Sequence, residues 1–100
     1  MKHRVRDIVW TAVRDVNESL ERKVDLDKGE DAPLFGADAP LDSLSLVCVI
    51  TGVESMLENK LHAMIVLANE EAFSRSPSPF TTMRSLIDYT CELLEASSAF

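Results

Sequence analysis

The sequence predicts an all-α protein, a small bundle of three main helices plus one short one. Three observations carry that expectation. Apolar residues recur at three- and four-residue spacing over residues 4–22, 43–60 and 82–95, the period of an amphipathic helix. Glycine and proline collect between these stretches: residues 23–42 hold two of the three glycines and two of the four prolines. The one strand-like run, MIVLA at 64–68, has no second strand to pair with. One hundred residues suffice for a single domain with one modest core, so the chain reads as one unit over residues 1–100.

In the first helix Val5, Ile8, Val9, Ala12, Val13, Val16 and Leu20 form the stripe, with Trp10 at its edge. The connection at 23–42, KVDLDKGEDAPLFGADAPLD, has turn chemistry and six carboxylates, and a loop of that length needs packing side chains or a function. Pro33, Leu34 and Phe35 supply a plug for one end of the bundle, and Gly36 a tight turn. At about 100° per residue, the second helix places Leu46, Val49, Ile50, Val53, Met56, Leu57 and Leu61 inward. Its other face holds Leu44, Ser45, Cys48, Thr51, Gly52, Ser55 and Asn59, flanked by Val47, Glu54 and Glu58. That face is weakly charged and leaves apolar groups outward. MIVLA reads as an extended, anchored connector. NEEAF makes a short helix at 69–74 capped by Asn69, and Pro77 and Pro79 break it. The last helix starts at Thr81 or Thr82 and runs to about Glu95, with Met83, Leu86, Ile87, Thr90, Leu93 and Leu94 inward and Tyr89 and Cys91 nearby.

A formal net charge of −7 argues against nucleic-acid binding, which depends on clustered Lys and Arg. The basic residues Lys2, His3, Arg4 and Arg6 read as a solvated helix start. No apolar run reaches the ~18 residues of a membrane span. Cys48 and Cys91 lie in helical patterns without zinc-type spacing and read as buried or half-buried thiols in a reducing cytoplasm. A cytoplasmic monomer is the default. There is no G-x-S-x-G elbow, and the histidines, His3 and His62, stand apart from any serine-centred motif. DLDKGED lacks the alternating ligands and closing glutamate of a calcium loop. What remains is the junction Asp42-Ser43-Leu44. Read alone, either Asp42 or Ser43 is a helix cap.

The frame around it points further. LFGADAPLDSLSLVCVI, then VESMLENKL, IVLANEEAF, SPFTT and SLIDYTCELL, resembles the acyl carrier proteins over roughly residues 5–95. The resemblance implies that family's four-helix bundle and no catalytic residues. It implies Ser43 as the attachment point of 4'-phosphopantetheine, derived from coenzyme A, which carries an acyl or aminoacyl group as a thioester. Asp42 and Leu44 complete the motif. Leu44, Ser45, Val47, Cys48, Thr51 and Glu54 then fall on the face offered to partners. Those partners are a phosphopantetheinyl transferase, an acyl- or aminoacyl-loading ligase or transferase, and downstream biosynthetic enzymes. The absence of a G-G-x-S context suits an acyl or small hydroxy- or aminoacyl cargo, a D-alanyl group among them. Two departures stand out. Ser45, Cys48, Thr51 and Ser55 replace carboxylates common in the family, which shifts recognition toward apolar contact. ENKLHAM replaces a helix-ending glycine, so His62 must take the left-handed cap. The rival expectation is a helical adaptor docking through the second-helix face, with Ser43 only a cap; an enzyme is a distant third.

Overall fold

The computed structural model describes residues 2–20, 22–36, 39–75 and 78–97. Four α-helices follow in order: α1 (Lys2–Asn17), α2 (Ser43–Leu61), α3 (Glu70–Ser74) and α4 (Met83–Ser97). The described residues form no strand, only isolated bridges between Pro33 and Thr82 and between Phe35 and Leu41. α1 is the central element and packs against both α2 and α4. Its Val5, Ile8, Val9, Ala12 and Val13 are buried, as the spacing predicts, while Val16 and Leu20 lie half-buried at the edge of the core.

α1 stops at Asn17, short of the expected residue 22; Glu21 lies outside the described residues. The cause is a clasp between residues seven positions apart. Asn17 Oδ1 accepts the Val24 N–H at 2.7 Å and its Nδ2 donates to the Val24 carbonyl at 3.3 Å, which turns the chain back on the helix end. Lys23 Nζ donates to the carbonyls of Asn17 and Leu20, each at 2.8 Å, satisfying acceptors that a helix end leaves open. Val24 is thereby buried.

The connection after it is more ordered than its composition suggests. A 3₁₀ segment spans Leu26–Asp31, with Asp25 accepting the Asp27 N–H, and it kinks at Gly29, where φ is 63°. Beyond it the chain is tied to the start of α4: Leu34 N donates to the Thr81 carbonyl at 2.8 Å, and Met83 N to that of Ala32 at 3.1 Å. Leu41 N then donates to the Leu34 carbonyl at 2.9 Å, closing the loop before α2. Gly36 takes φ 129°, a region costly for any side chain; Ala37 and Asp38 lie outside the described residues. Of the expected plug, Leu34 is fully buried, Phe35 half-buried and Pro33 exposed. A larger plug comes from Phe80, wholly buried and edge-on to Tyr89 with ring centroids 6.3 Å apart.

α2 buries Leu46, Val49, Ile50, Val53 and Leu57, the expected stripe, with Met56 and Leu61 partly buried against it. Gly52 departs from the expected outward face: it is half-buried, and a Cβ there would meet the Ala12 Cβ at 3.5 Å, so this glycine sits where α1 and α2 come close. His62 ends α2 with φ 54° and ψ 33°, its N–H reaching the Glu58 carbonyl, the left-handed cap the sequence requires.

The chain after His62 is extended, and its side chains alternate. Ile65 and Leu67 point to the core while Met64 and Val66 are 83 % and 64 % exposed, the two-residue period of an extended segment. Asn69 caps α3, its side chain accepting the Ala72 N–H; Pro77 lies outside the described residues. Thr82 rather than Thr81 caps α4. Ser85 N donates to Thr82 Oγ1 at 3.2 Å and Thr82 N to Ser85 Oγ at 2.9 Å, a reciprocal box anchored by the Ser85 hydroxyl donating to the Pro79 carbonyl at 2.9 Å.

Candidate functional site

The start of α2 separates the two capping candidates. Asp42 is the cap: its backbone is extended, with φ −86° and ψ 179°, and its Oδ1 accepts the Ser45 N–H at 2.8 Å. That hydrogen bond, followed by one from the Ser45 hydroxyl, holds the Asp42 carboxyl below its ordinary value. An ionised carboxylate there also meets the positive end of the helix dipole. Ser43 is the first helical residue and is exposed. Its hydroxyl is left with no hydrogen bond among the described residues, because Asp42 has taken the capping role. As a first-turn residue its amide, like that of Leu44, has no acceptor within the helix.

The residues expected on the partner face divide. Leu44 is 74 % and Val47 48 % exposed, and Cys48 and Thr51 are also exposed. The Cys48 thiol is therefore a surface group, not the buried or half-buried one expected; Cys91 is half-buried, and burial, with Asp88 second, pushes its thiol up. Ser45 is half-buried and leans on Asp42, so it belongs to the cap as much as to the face. Glu54 is half-buried, and its Oε2 accepts the Leu67 N–H at 2.7 Å. This carboxylate anchors the extended connector to α2, a role hidden in sequence by the separation of thirteen positions between the partners.

Two shallow grooves flank the outward face of α2. One, between α1 and α2, is lined by Asp15, Val16, Ser19, Leu20, Leu44, Ser45 and Cys48. The other, between α2 and the connector, is lined by Thr51, Glu54, Ser55, Glu58, Met64, Ile65 and Val66. Sequence reasoning put Val16 and Leu20 in the core and left Met64 and Val66 without a role. The available signal was the ragged end of the first helix's stripe, but only the crossing of α1 and α2 brings Leu20 beside Leu44.

Among the described residues no three His, Cys, Asp or Glu side chains gather into a metal-binding group, and His3 and His62 are both exposed and far apart in sequence. No helix among them is long and apolar enough to cross a membrane. Two of the N-terminal cations are engaged at the surface: Lys2 pairs with Asp88 at 3.2 Å and Arg6 with Glu30 at 3.7 Å, and the Arg6 guanidinium lies 5.7 Å from the Trp10 ring centroid. What the site offers chemically is one exposed, uncommitted hydroxyl at a helix start, on a ridge with apolar groups outward. Set against family models, curated proteins and solved structures, the chain matches none of them.

Proposed function

We propose that the chain is an acyl carrier protein, a non-catalytic monomer whose Ser43 bears 4'-phosphopantetheine. The observation that carries this reading is the division of labour at the start of α2: Asp42 accepts the Ser45 amide, and the exposed Ser43 hydroxyl beside it is left available. A mere cap would itself be spent on that bond.

The residues present fit the group. A phosphodiester on Ser43 Oγ would lie over the first turn of α2, where free amides and the dipole favour an anion. The arm adds a terminal thiol that carries an acyl or small hydroxy- or aminoacyl cargo as a thioester. Asp42 holds the first turn in place so that the serine is presented to a phosphopantetheinyl transferase. Leu44 and Val47 offer apolar contact to that enzyme, to the loading ligase or transferase and to downstream biosynthetic enzymes, as an exposed apolar patch does. With Glu54 bonded to the connector, Glu58 is the more available carboxylate on that side. In this reading α1, α2 and α4, with the short α3, form the four-helix bundle of the carrier family, and the protein works in the cytoplasm.

Incubation with coenzyme A and a broad-specificity phosphopantetheinyl transferase tests the assignment. The expected result is a mass gain of one phosphopantetheine, lost in Ser43→Ala and kept in Ser45→Ala. A folded protein that gains no mass overturns the carrier reading in favour of a helical adaptor that docks through the α2 face.

A further inference from the structure

We propose that the extended connector between α2 and α3 is an edge strand for another protein. A segment of that partner, with cationic and apolar residues in alternation, pairs its backbone with Ile65 and lies over the groove beside α2. The proposal stands whether or not Ser43 carries an arm. Three observations point there. The first is open backbone. Ala63 N donates to the Leu57 carbonyl and Leu67 N to Glu54 Oε2. Between them the amides and carbonyls of Met64, Ile65 and Val66 make no hydrogen bond among the described residues. The Leu67 N–H points to α2, and in an extended chain the polar groups of every second residue share a side. The Ile65 amide and carbonyl therefore face the same groove, which Ile65 helps to line. The second observation is an unguarded edge. Natural edges carry Lys, Pro, a bulge or a cover, whereas residues 63–68 contain no charge, proline or glycine, and Met64 and Val66 are exposed. The third is charge: Glu54 and Glu58, one turn apart, line the α2 wall of the groove, and neither is in an ion pair among the described residues.

These features select the occupant. In strand addition the main chain supplies affinity and alternate side chains supply specificity. A strand laid beside Ile65 turns every second residue to the outer face, next to Met64 and Val66, where an apolar side chain makes a cross-strand pair. Its remaining residues face inward to Glu54 and Glu58, where a lysine or arginine finds an opposite charge. A second copy of this chain is the poorer occupant: edge to edge it brings another Glu54 and Glu58 against the first, on molecules that each carry −7. The outward face of α2 differs in kind, because Leu44 and Val47 stand on a helix whose backbone is already bonded and offers no such pairing.

The test titrates the full chain with three end-blocked hexapeptides and follows its backbone amides by NMR. One peptide alternates lysine with valine, and one alternates glutamate with valine. The third is the lysine–valine peptide N-methylated at every amide, which keeps the side chains and cannot donate a backbone hydrogen bond. The expected result is that the lysine–valine peptide shifts the amides of Met64, Ile65 and Val66 saturably and slows hydrogen exchange at Ile65, while the other two do neither. Glu58→Gln, at an exposed position, should weaken binding about fivefold. Val66→Lys, also exposed, should abolish it by setting a like charge on the edge; circular dichroism checks that both variants are folded, and the three peptides on the parent chain decide the matter without them. An equal response to the N-methylated peptide overturns the proposal in favour of charge adsorption alone, and an equal response to the glutamate–valine peptide in favour of apolar contact alone. Shifts centred on Leu44, Val47 and Cys48 overturn it in favour of the α2 face. Slow exchange at Ile65 without peptide, in a protein that sediments as a dimer, overturns it in favour of a second copy, and no response to any peptide overturns it outright. The mass gain at Ser43 is read separately, so the carrier reading stands or falls independently of these outcomes.

Discussion

Along its inward side α2 buries Leu46, Val49, Ile50, Val53 and Leu57; along its outward side it leaves Ser43, Leu44, Val47, Cys48 and Thr51 exposed. Both sides belong to one helix with the same caps, so their difference isolates packing from chemistry. The inward residues are interchangeable in kind, all aliphatic, and their worth is the area they remove from water. The outward residues are mixed in kind: a hydroxyl, two apolar groups, a thiol and a second hydroxyl. Nothing in the packing of this chain demands that mixture. A surface helix that only had to stay soluble would place charges there. The contrast therefore separates what the helix needs in order to form from what it presents.

The inward side breaks most easily at Val53, which has no exposure. Val53→Asp puts an unpaired carboxylate into the apolar layer, and the expected loss is about 5 kcal/mol or more, comparable to the whole stability of a small domain. Circular dichroism at neutral pH should show a collapsed helical signal. A cooperative melt near that of the parent would mean that the layer under α2 is far looser than the burial indicates.

The inward stripe was legible in the sequence because periodicity is a local signal, repeated over five turns. The caps were legible for a similar reason, since a cap and the amide it satisfies lie within three residues: Asn69 outright, and Asp42 as one of two candidates beside Ser43. What escaped depends on longer reach. The end of α1 at Asn17 is set by a bond to Val24, which no helix propensity encodes. Phe80 stands in a proline-rich break without a period, so nothing marked it as a core residue, yet among the described residues it is the largest of the wholly buried side chains. Glu54 read as a surface carboxylate because its partner, the Leu67 amide, belongs to a segment with no fixed register against α2. Gly52 read as outward because a helical wheel does not say how closely a neighbour approaches. The helix start that holds the candidate serine was thus legible, while the grooves were not, because they exist only once α1, α2 and the connector are assembled.

At the boundary between the two sides, Asp42 contributes to both. Asp42→Ala removes the acceptor of the Ser45 amide and should lower the melting midpoint by a few degrees, the scale of a lost N-cap. The pH dependence has a definite sign. The folded-state carboxyl is held below the ordinary 3.8 by the Ser45 amide and hydroxyl. Its contribution is therefore complete above that value and is lost as the pH falls through the lower folded-state value. The difference in midpoint between parent and Asp42→Ala should be constant from pH 7 to about pH 5 and shrink below pH 4. A difference that instead grew on acidification would show that the cap bond does not depend on the ionised carboxylate.

The smallest effect on the fold belongs to Ser43. Its hydroxyl is exposed and spends no bond on the helix, so Ser43→Ala removes nothing that folding uses, and alanine is the better helix former by a few tenths of a kcal/mol. The melting midpoint should stay within about 2 °C of the parent or rise slightly, while the mass gain from coenzyme A disappears. This pairing sharpens the contrast along α2 most, because it asks one side chain to matter for chemistry and not for stability. A large fall in the midpoint would return Ser43 to the role of a cap, and it would have to be reconciled with a helix start at which Asp42 already holds the Ser45 amide at 2.8 Å.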